Sequence, residues 1–309
     1  MAIILTNCTN RKKGLVNLRL TSDNLDTGSI NAVAKQWLDR LKNAPAENIA
    51  REIYCGRGFR EAEASATSLS CPLYVVSAGL GIVNSELYIP LYCLTVSSGS
   101  TNSIRNKASN FTSSNDWWSL IVNGNPFGSS LSNTLEHHPT DLVLIALPRP
   151  YIELLHDELL NFQVHQQHRL RFFGKKLNSV LPASLDENWM PYDDRLDFAG
   201  PGYSGTQADF AQRSLRHFVN EVLNKHQDGD TYTHRSMVLK YLAPLQKREI
   251  PKRLQLSDQD IGIAIRKNWE SGKGQSSKLL RIIRSDLGIA CEQSRFRDIY
   301  HTVKNTIGH

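Results

Sequence analysis

Three short apolar runs, each breaking into a polar turn, constrain this chain more than anything else in it. Ala2–Leu5 runs into Thr6-Asn7-Cys8-Thr9-Asn10, Leu73–Val76 into Ser77-Ala78-Gly79-Leu80-Gly81, and Leu142–Leu147 into Pro148-Arg149-Pro150-Tyr151. Aliphatic runs of this length with no polar alternation bury both faces, as strands inside a mainly parallel sheet do. Helical spacing fills the intervals. Val33, Ala34, Trp37, Leu38 and Leu41 share one face of 30–41, and 151–162 repeats the pattern after the third run. Leu170–Phe173 reads as a fourth strand, and 205–225 as a long amphipathic helix opened by Thr206. The expected fold is α/β, a mainly parallel sheet with helices on both faces.

Residues 96–140 break that rhythm. They are rich in Ser and Asn, with a paired Trp117-Trp118 and a turn at Gly124. The stretch reads as an insertion with one short helix, either a lid or a structured surface excursion.

Charge divides the chain a second way. From Lys247 to His309 there are 13 basic and 7 acidic residues, while residues 1–246 carry 23 of each. The whole formal excess of +6 therefore belongs to the C-terminal fifth, as expected of a module that meets a polyanion. After a basic linker, 247–252, three helices are expected. The first opens at Ser257-Asp-Gln-Asp260, the second covers 276–287 and closes at Gly288, and the third covers 291–304. This suits a helix-turn-helix or similar all-helical domain; the plainer alternative is a solvated basic bundle that only packs on the main domain. The expected division is a catalytic α/β domain, 1–246, and a basic nucleic-acid-binding domain, 247–309.

Several classes fall away. With 40% hydrophobic and 21% charged residues the chain is not a disordered one. No apolar run approaches the ~20 residues of a membrane helix, and Met1–Thr6 is too short for a signal peptide. The five cysteines are odd in number and lack CxxC spacing, so reduced thiols and a cytoplasmic protein are expected. The histidines show no metal-ligand spacing, and neither a metal nor a cofactor is expected. Tyr54-Cys55-Gly56-Arg57-Gly58-Phe59 lacks the ending of a phosphate-binding P-loop.

In open α/β sheets the ligand sits beyond the carboxyl ends of the strands. The three turns there offer Asn7, Cys8, Thr9 and Asn10, then Ser77 and the close backbone approach of Gly79, then Arg149 fixed between two prolines. Each alone is ordinary turn chemistry; together they favour a site. Tyr54 and Arg57 precede a helix and add a ring and a guanidinium. Glu86, Tyr88 and Tyr92 follow the second strand and combine a carboxylate with rings that could stack on a base. Asp193 and Asp194 form an adjacent pair beside Arg195, of which at most one is expected to react.

The run Asn7-Cys8-Thr9-Asn10-Arg11-Lys12, then 54–59, then Val75–Val83 with Glu86, Pro90 and Tyr92, resembles a bacterial domain of phage-defence loci. That domain is related to the peroxide-stress protein family and to the uracil-glycosylase-like module of archaeal-type tRNA-guanine transglycosylases. Within it the chain is most similar to anti-phage DNA glycosylases that excise glucosylated hydroxymethylcytosine from modified phage DNA. The resemblance covers roughly the first half of the chain, and 290–296 looks like the DNA-binding tail of such proteins. One departure stands out: related domains often carry a carboxylate just after the tyrosine, where this sequence has Cys93.

What the resemblance implies is base excision from double-stranded phage DNA. N-glycosidic cleavage passes through a cationic sugar, so a carboxylate must stabilise charge or activate water, and the base must be flipped into a pocket. Asp194 or Glu86 is the expected catalytic carboxylate. Asn7, Cys8, Thr9, Asn10, Tyr54, Arg57, Ser77, Gly79, Tyr88, Tyr92 and Arg149 would bind base and sugar, and Lys278, Arg281, Arg284, Arg295 and Arg297 the DNA backbone. The rivals are a transglycosylase-like enzyme acting on a tRNA base and a helix-turn-helix regulator whose α/β domain senses a nucleoside.

Overall fold

A computed structural model describes residues 1–9, 12–14, 20–97, 99–247 and 253–307. Asn10 and most of the linker, 248–252, lie outside the described residues. The chain divides into two compact units, Met1–Lys247 and Arg248–His309.

The first unit is α/β, around a five-stranded, mostly parallel sheet. Its strands are β1 (Ala2–Asn7), β2 (Leu73–Ser77), β3 (Gly81–Asn84), β4 (Leu142–Ala146) and β5 (Leu170–Phe173). Their order across the sheet is β3-β2-β1-β4-β5, and only β3 runs antiparallel. Ile4 pairs with Leu73 on one side of β1 and with Leu144 on the other. The chain leaves β1 to build β2 and β3 on one side, then crosses back to build β4 and β5. The reversal between β1 and β4 is the switch point at which such sheets open a crevice.

Ile3, Ile4 and Leu5 are fully buried, so both faces of β1 are covered. Helix α1 (Ile30–Lys42) is started by Ser29, whose Oγ accepts from the Ala32 N–H, and it buries Val33, Trp37 and Leu41. It packs against α3 (Ser114–Val122), which packs in turn on α5 (Arg149–Leu154). Helix α2 (Arg57–Leu69) packs against α7 (Phe210–His217), and those two cross β1, β4 and β5; α8 (Thr231–Leu242) follows in the chain.

The structure corrects three expectations. Residues 96–140 are not an insertion with one helix but the crossover from β3 to β4, holding α3 and α4 (Leu131–Glu136). Trp117 and Trp118 are buried there, and the Trp117 indole donates to the Ala78 carbonyl at 2.7 Å. The helix expected over 151–162 breaks at Leu155 into α5 and α6 (His156–Leu160). The turn 77–81 reverses the chain from β2 into β3, a strand that the sequence pattern does not announce.

In the second unit, α9 (Asp258–Lys267) starts at the Ser257 N-cap and α10 covers Ser276–Arg281, continued by a wider turn to Asp286. Gly288 takes the left-handed φ of +61° that closes a helix. Helix α11 covers Gln293–Ile307. Ile261, Ile265, Leu279, Ile283, Phe296 and Val303 form a core of their own.

Candidate functional site

The carboxyl ends of β1, β2, β4 and β5 lie at one end of the sheet, where Asn7 pairs with Val76 and Ala146 with Phe173. At the β1–β2 side the polar groups face each other rather than a ligand. Ser77 Oγ lies 2.6 Å from the Tyr92 hydroxyl, which lies 2.9 Å from that of Tyr54; Cys8 Sγ is 3.1 Å from the Tyr151 hydroxyl. All five side chains are buried. Burial first, and then the neighbouring Cys8, push the Tyr54, Tyr92 and Tyr151 hydroxyls well above the ordinary phenol range, so they stay protonated donors. The rings of Tyr54 and Tyr92 lie buried in this array rather than standing as the open faces expected for a base. The Lys12 ammonium stands 4.3 Å from the centre of the Tyr92 ring and donates to the Thr9 carbonyl.

Gly79 also has another role than the expected one. A Cβ there would stand 3.0 Å from Trp37 and 3.2 Å from Tyr92, so the missing side chain admits two rings, not a ligand. Glu86 and Tyr88 are removed from the crevice altogether. Because β3 runs antiparallel, they follow it to the amino ends of the parallel strands, where Ser85 bonds to Leu73. Glu86 is exposed and paired with Arg51, and Tyr88 is exposed opposite Ile49.

At the switch point itself stands Gln212 of α7, which sequence reasoning missed. Its Nε2 donates to Thr6 Oγ1, Asn7 Oδ1 and the Ala146 carbonyl at 2.7–3.1 Å, bridging β1 and β4. Arg57 turns inward beside it, bonding Glu61 and the Gly202 carbonyl and lying 3.7 Å from Asp209. Arg213, fully buried, holds Asp209 at 2.8 Å and Asp197 at 2.9 Å. Asp209 also accepts from the Thr206 N–H, so a carboxylate of the chain itself occupies the helix start after the Gly200–Thr206 turn. Polar residues on the buried face of the 205–225 pattern were the available signal.

An open concavity begins where β4 and β5 end. It is a cleft of about 380 Å³ whose walls include Pro148, Arg149, Gly174, Lys175, Lys176 and Gln207. Arg149, expected at the site, lines it and pairs with Glu153 at 2.7 Å. Lys175 pairs at 2.6 Å with Asp194. The adjacent acids have divided as chemistry requires: Asp193 caps the turn Asp194–Phe198 and holds Arg195, while Asp194 points to Lys175. The backbone places it there, since Met190 bonds to Phe172 alongside β5. A strand end followed by Gly174-Lys175-Lys176 was legible in the sequence as a fourth turn. A larger depression of about 580 Å³ holds Arg51 and Glu86, but it lies at the amino ends of the strands. Among the described residues, no three His, Cys, Asp or Glu side chains could share a metal ion, and no helix is long and apolar enough to cross a membrane.

The five basic residues expected on DNA fall into two groups. Arg295 bonds Asp258 and the Leu256 carbonyl, and Arg284 donates to the Cys291 carbonyl, so both tie the second unit together. Lys278, Arg281 and Arg297 are exposed. The connection between α10 and α11, residues 287–292, is longer than the three to four residues of a helix-turn-helix turn and contains strand residues Ile289–Ala290.

Comparison of the chain with family models, curated proteins and solved structures gives no match.

Proposed function

We propose that this chain is a DNA glycosylase that excises a modified base, with Asp194 as the carboxylate at the reacting centre. One observation carries the choice: Asp194 is held 2.6 Å from Lys175, a wall residue of a cation-bearing cleft beyond the carboxyl ends of the parallel strands. In the hydrolysis, the C1′–N bond breaks, water adds its hydroxyl to C1′, and the departing base takes the proton. The sugar passes through a cationic state, and a fixed carboxylate stabilises it. Asp194 is preferred over Glu86, which stands at the far end of the sheet. The resemblance points to glucosylated hydroxymethylcytosine as the base. In the second unit, Lys278, Arg281 and Arg297 would grip phosphates without reading sequence.

The test is alkaline cleavage at abasic sites after incubation with glucosylated and unmodified duplex DNA. Breaks are expected in the glucosylated duplex alone. Asp194→Asn should lower the rate at least about 100-fold, the order of a lost catalytic carboxylate, and Glu86→Gln should leave it unchanged. No breaks in any modified duplex would overturn the reading. Base release from tRNA and not from DNA would replace it with the transglycosylase-like one.

A further inference from the structure

The cleft has a second feature that base excision does not use. Lys176 is exposed, lines the wall, and has no carboxylate partner among the described residues, whereas Arg149 and Lys175 each have one. Its backbone is left-handed, with φ +52°. That conformation costs any residue with a Cβ stability, and Gly or Asn is the usual occupant. It lies two residues after Gly174, where a Cβ would stand 2.7 Å from the Leu147 carbonyl, so the turn is pressed against the end of β4. A lysine kept on a left-handed position puts a strongly hydrated cation where the turn aims it, with the Arg149 fork lining the same cleft. Ser179 and Gln207 add neutral hydrogen-bonding groups to the walls.

We infer that this cleft is a phosphate-binding subsite in which Lys176 and Arg149 take a phosphate of the nucleic-acid backbone next to the nucleotide being cleaved. The inference rests on the glycosylase reading for the identity of that nucleotide; the phosphate chemistry stands on the cleft alone. Arg149 suits two oxygens of one phosphate, a bidentate geometry that a lysine cannot supply, and it can exchange the exposed Glu153 for that ligand at little cost. A phosphate gripped here would fix the sugar beside it relative to Asp194, which reaches the same wall through Lys175.

The probe is thymidine 3′,5′-bisphosphate, titrated calorimetrically into the full chain, with thymidine and inorganic phosphate as controls. The bisphosphate should bind and thymidine should not. Lys176→Gly and Arg149→Ala should each weaken binding at least tenfold. Lys176→Gly should also raise the melting temperature, because it removes the left-handed strain. A fold defect cannot produce that pair of results. Inorganic phosphate binding as tightly as the bisphosphate, with the same dependence on Lys176, would identify the source as free phosphate rather than the backbone. No bisphosphate binding, or binding indifferent to Lys176→Gly, overturns the subsite. Bisphosphate binding without base release from any DNA would keep the subsite and sink the glycosylase reading. Base release untouched by Lys176→Gly, with no bisphosphate binding, would do the reverse.

Discussion

His217 shows how one buried residue sets a condition on the whole first unit. Its Nδ1 lies 2.9 Å from the Tyr192 hydroxyl, and the rings of Tyr203 and Tyr241 stand edge-on to it. Burial lowers its pKa to about 4, outweighing the opposing pull of Glu221. An unfolded histidine titrates near 6.5, so as pH falls the unfolded chain takes up the proton first. The neutral ring's contribution is therefore complete above about pH 6.5 and is lost as pH falls towards 4. About 2 kcal/mol should disappear between pH 7.5 and pH 5. His234, whose pKa burial also lowers, adds in the same direction. Urea denaturation at the two pH values checks this, and His217→Phe should flatten the difference. Equal pH slopes in both proteins would show that His217 is not the group responsible.

Among elements, the strands were legible and their surroundings less so. The parallel runs announce themselves because strands buried on both faces need unbroken aliphatic sequence, as in Ile3–Leu5 and Val143–Ile145. Strand β3 does not, since Gly81-Ile-Val-Asn84 is short and opens on the second of two glycines that read as loop. Composition misled at 96–140, where buried Trp117 and Trp118 outweighed a Ser- and Asn-rich exterior. Candidate site residues were chosen by strand end without knowledge of strand direction, which is what removed Glu86. The element that sequence could not show is the Asp194–Phe198 turn, fixed to α7 by Arg213. That guanidinium bonds Asp197, Asp209, Thr206 and Tyr203 from a fully buried position. Arg213→Leu removes the buried guanidinium that two shielded carboxylates share and should cost about 3–5 kcal/mol. Chemical denaturation measures it. A loss below about 1 kcal/mol would mean that the carboxylates reach water instead.

At the scale of the molecule, an α/β unit with nearly balanced charge and a basic unit with its own core occupy one chain. If the second unit holds duplex DNA, its grip is electrostatic, and affinity must fall with salt at a slope set by the phosphates contacted. The structure separates the basic residues that can make those contacts from those already spent. Lys278 and Arg281 are exposed on α10, so Lys278→Ala with Arg281→Ala should lower the slope of log affinity against log salt by about 2. Arg284→Ala with Arg295→Ala removes bonds to Cys291, Asp258 and Leu256, so it should loosen the second unit while changing the slope little. Fluorescence anisotropy with a short duplex at several salt concentrations gives the slopes, and thermal melting reports the loosening. If both pairs lower the slope equally and neither lowers the melting temperature, the internal bonds yield to DNA and all four residues belong to the contact surface.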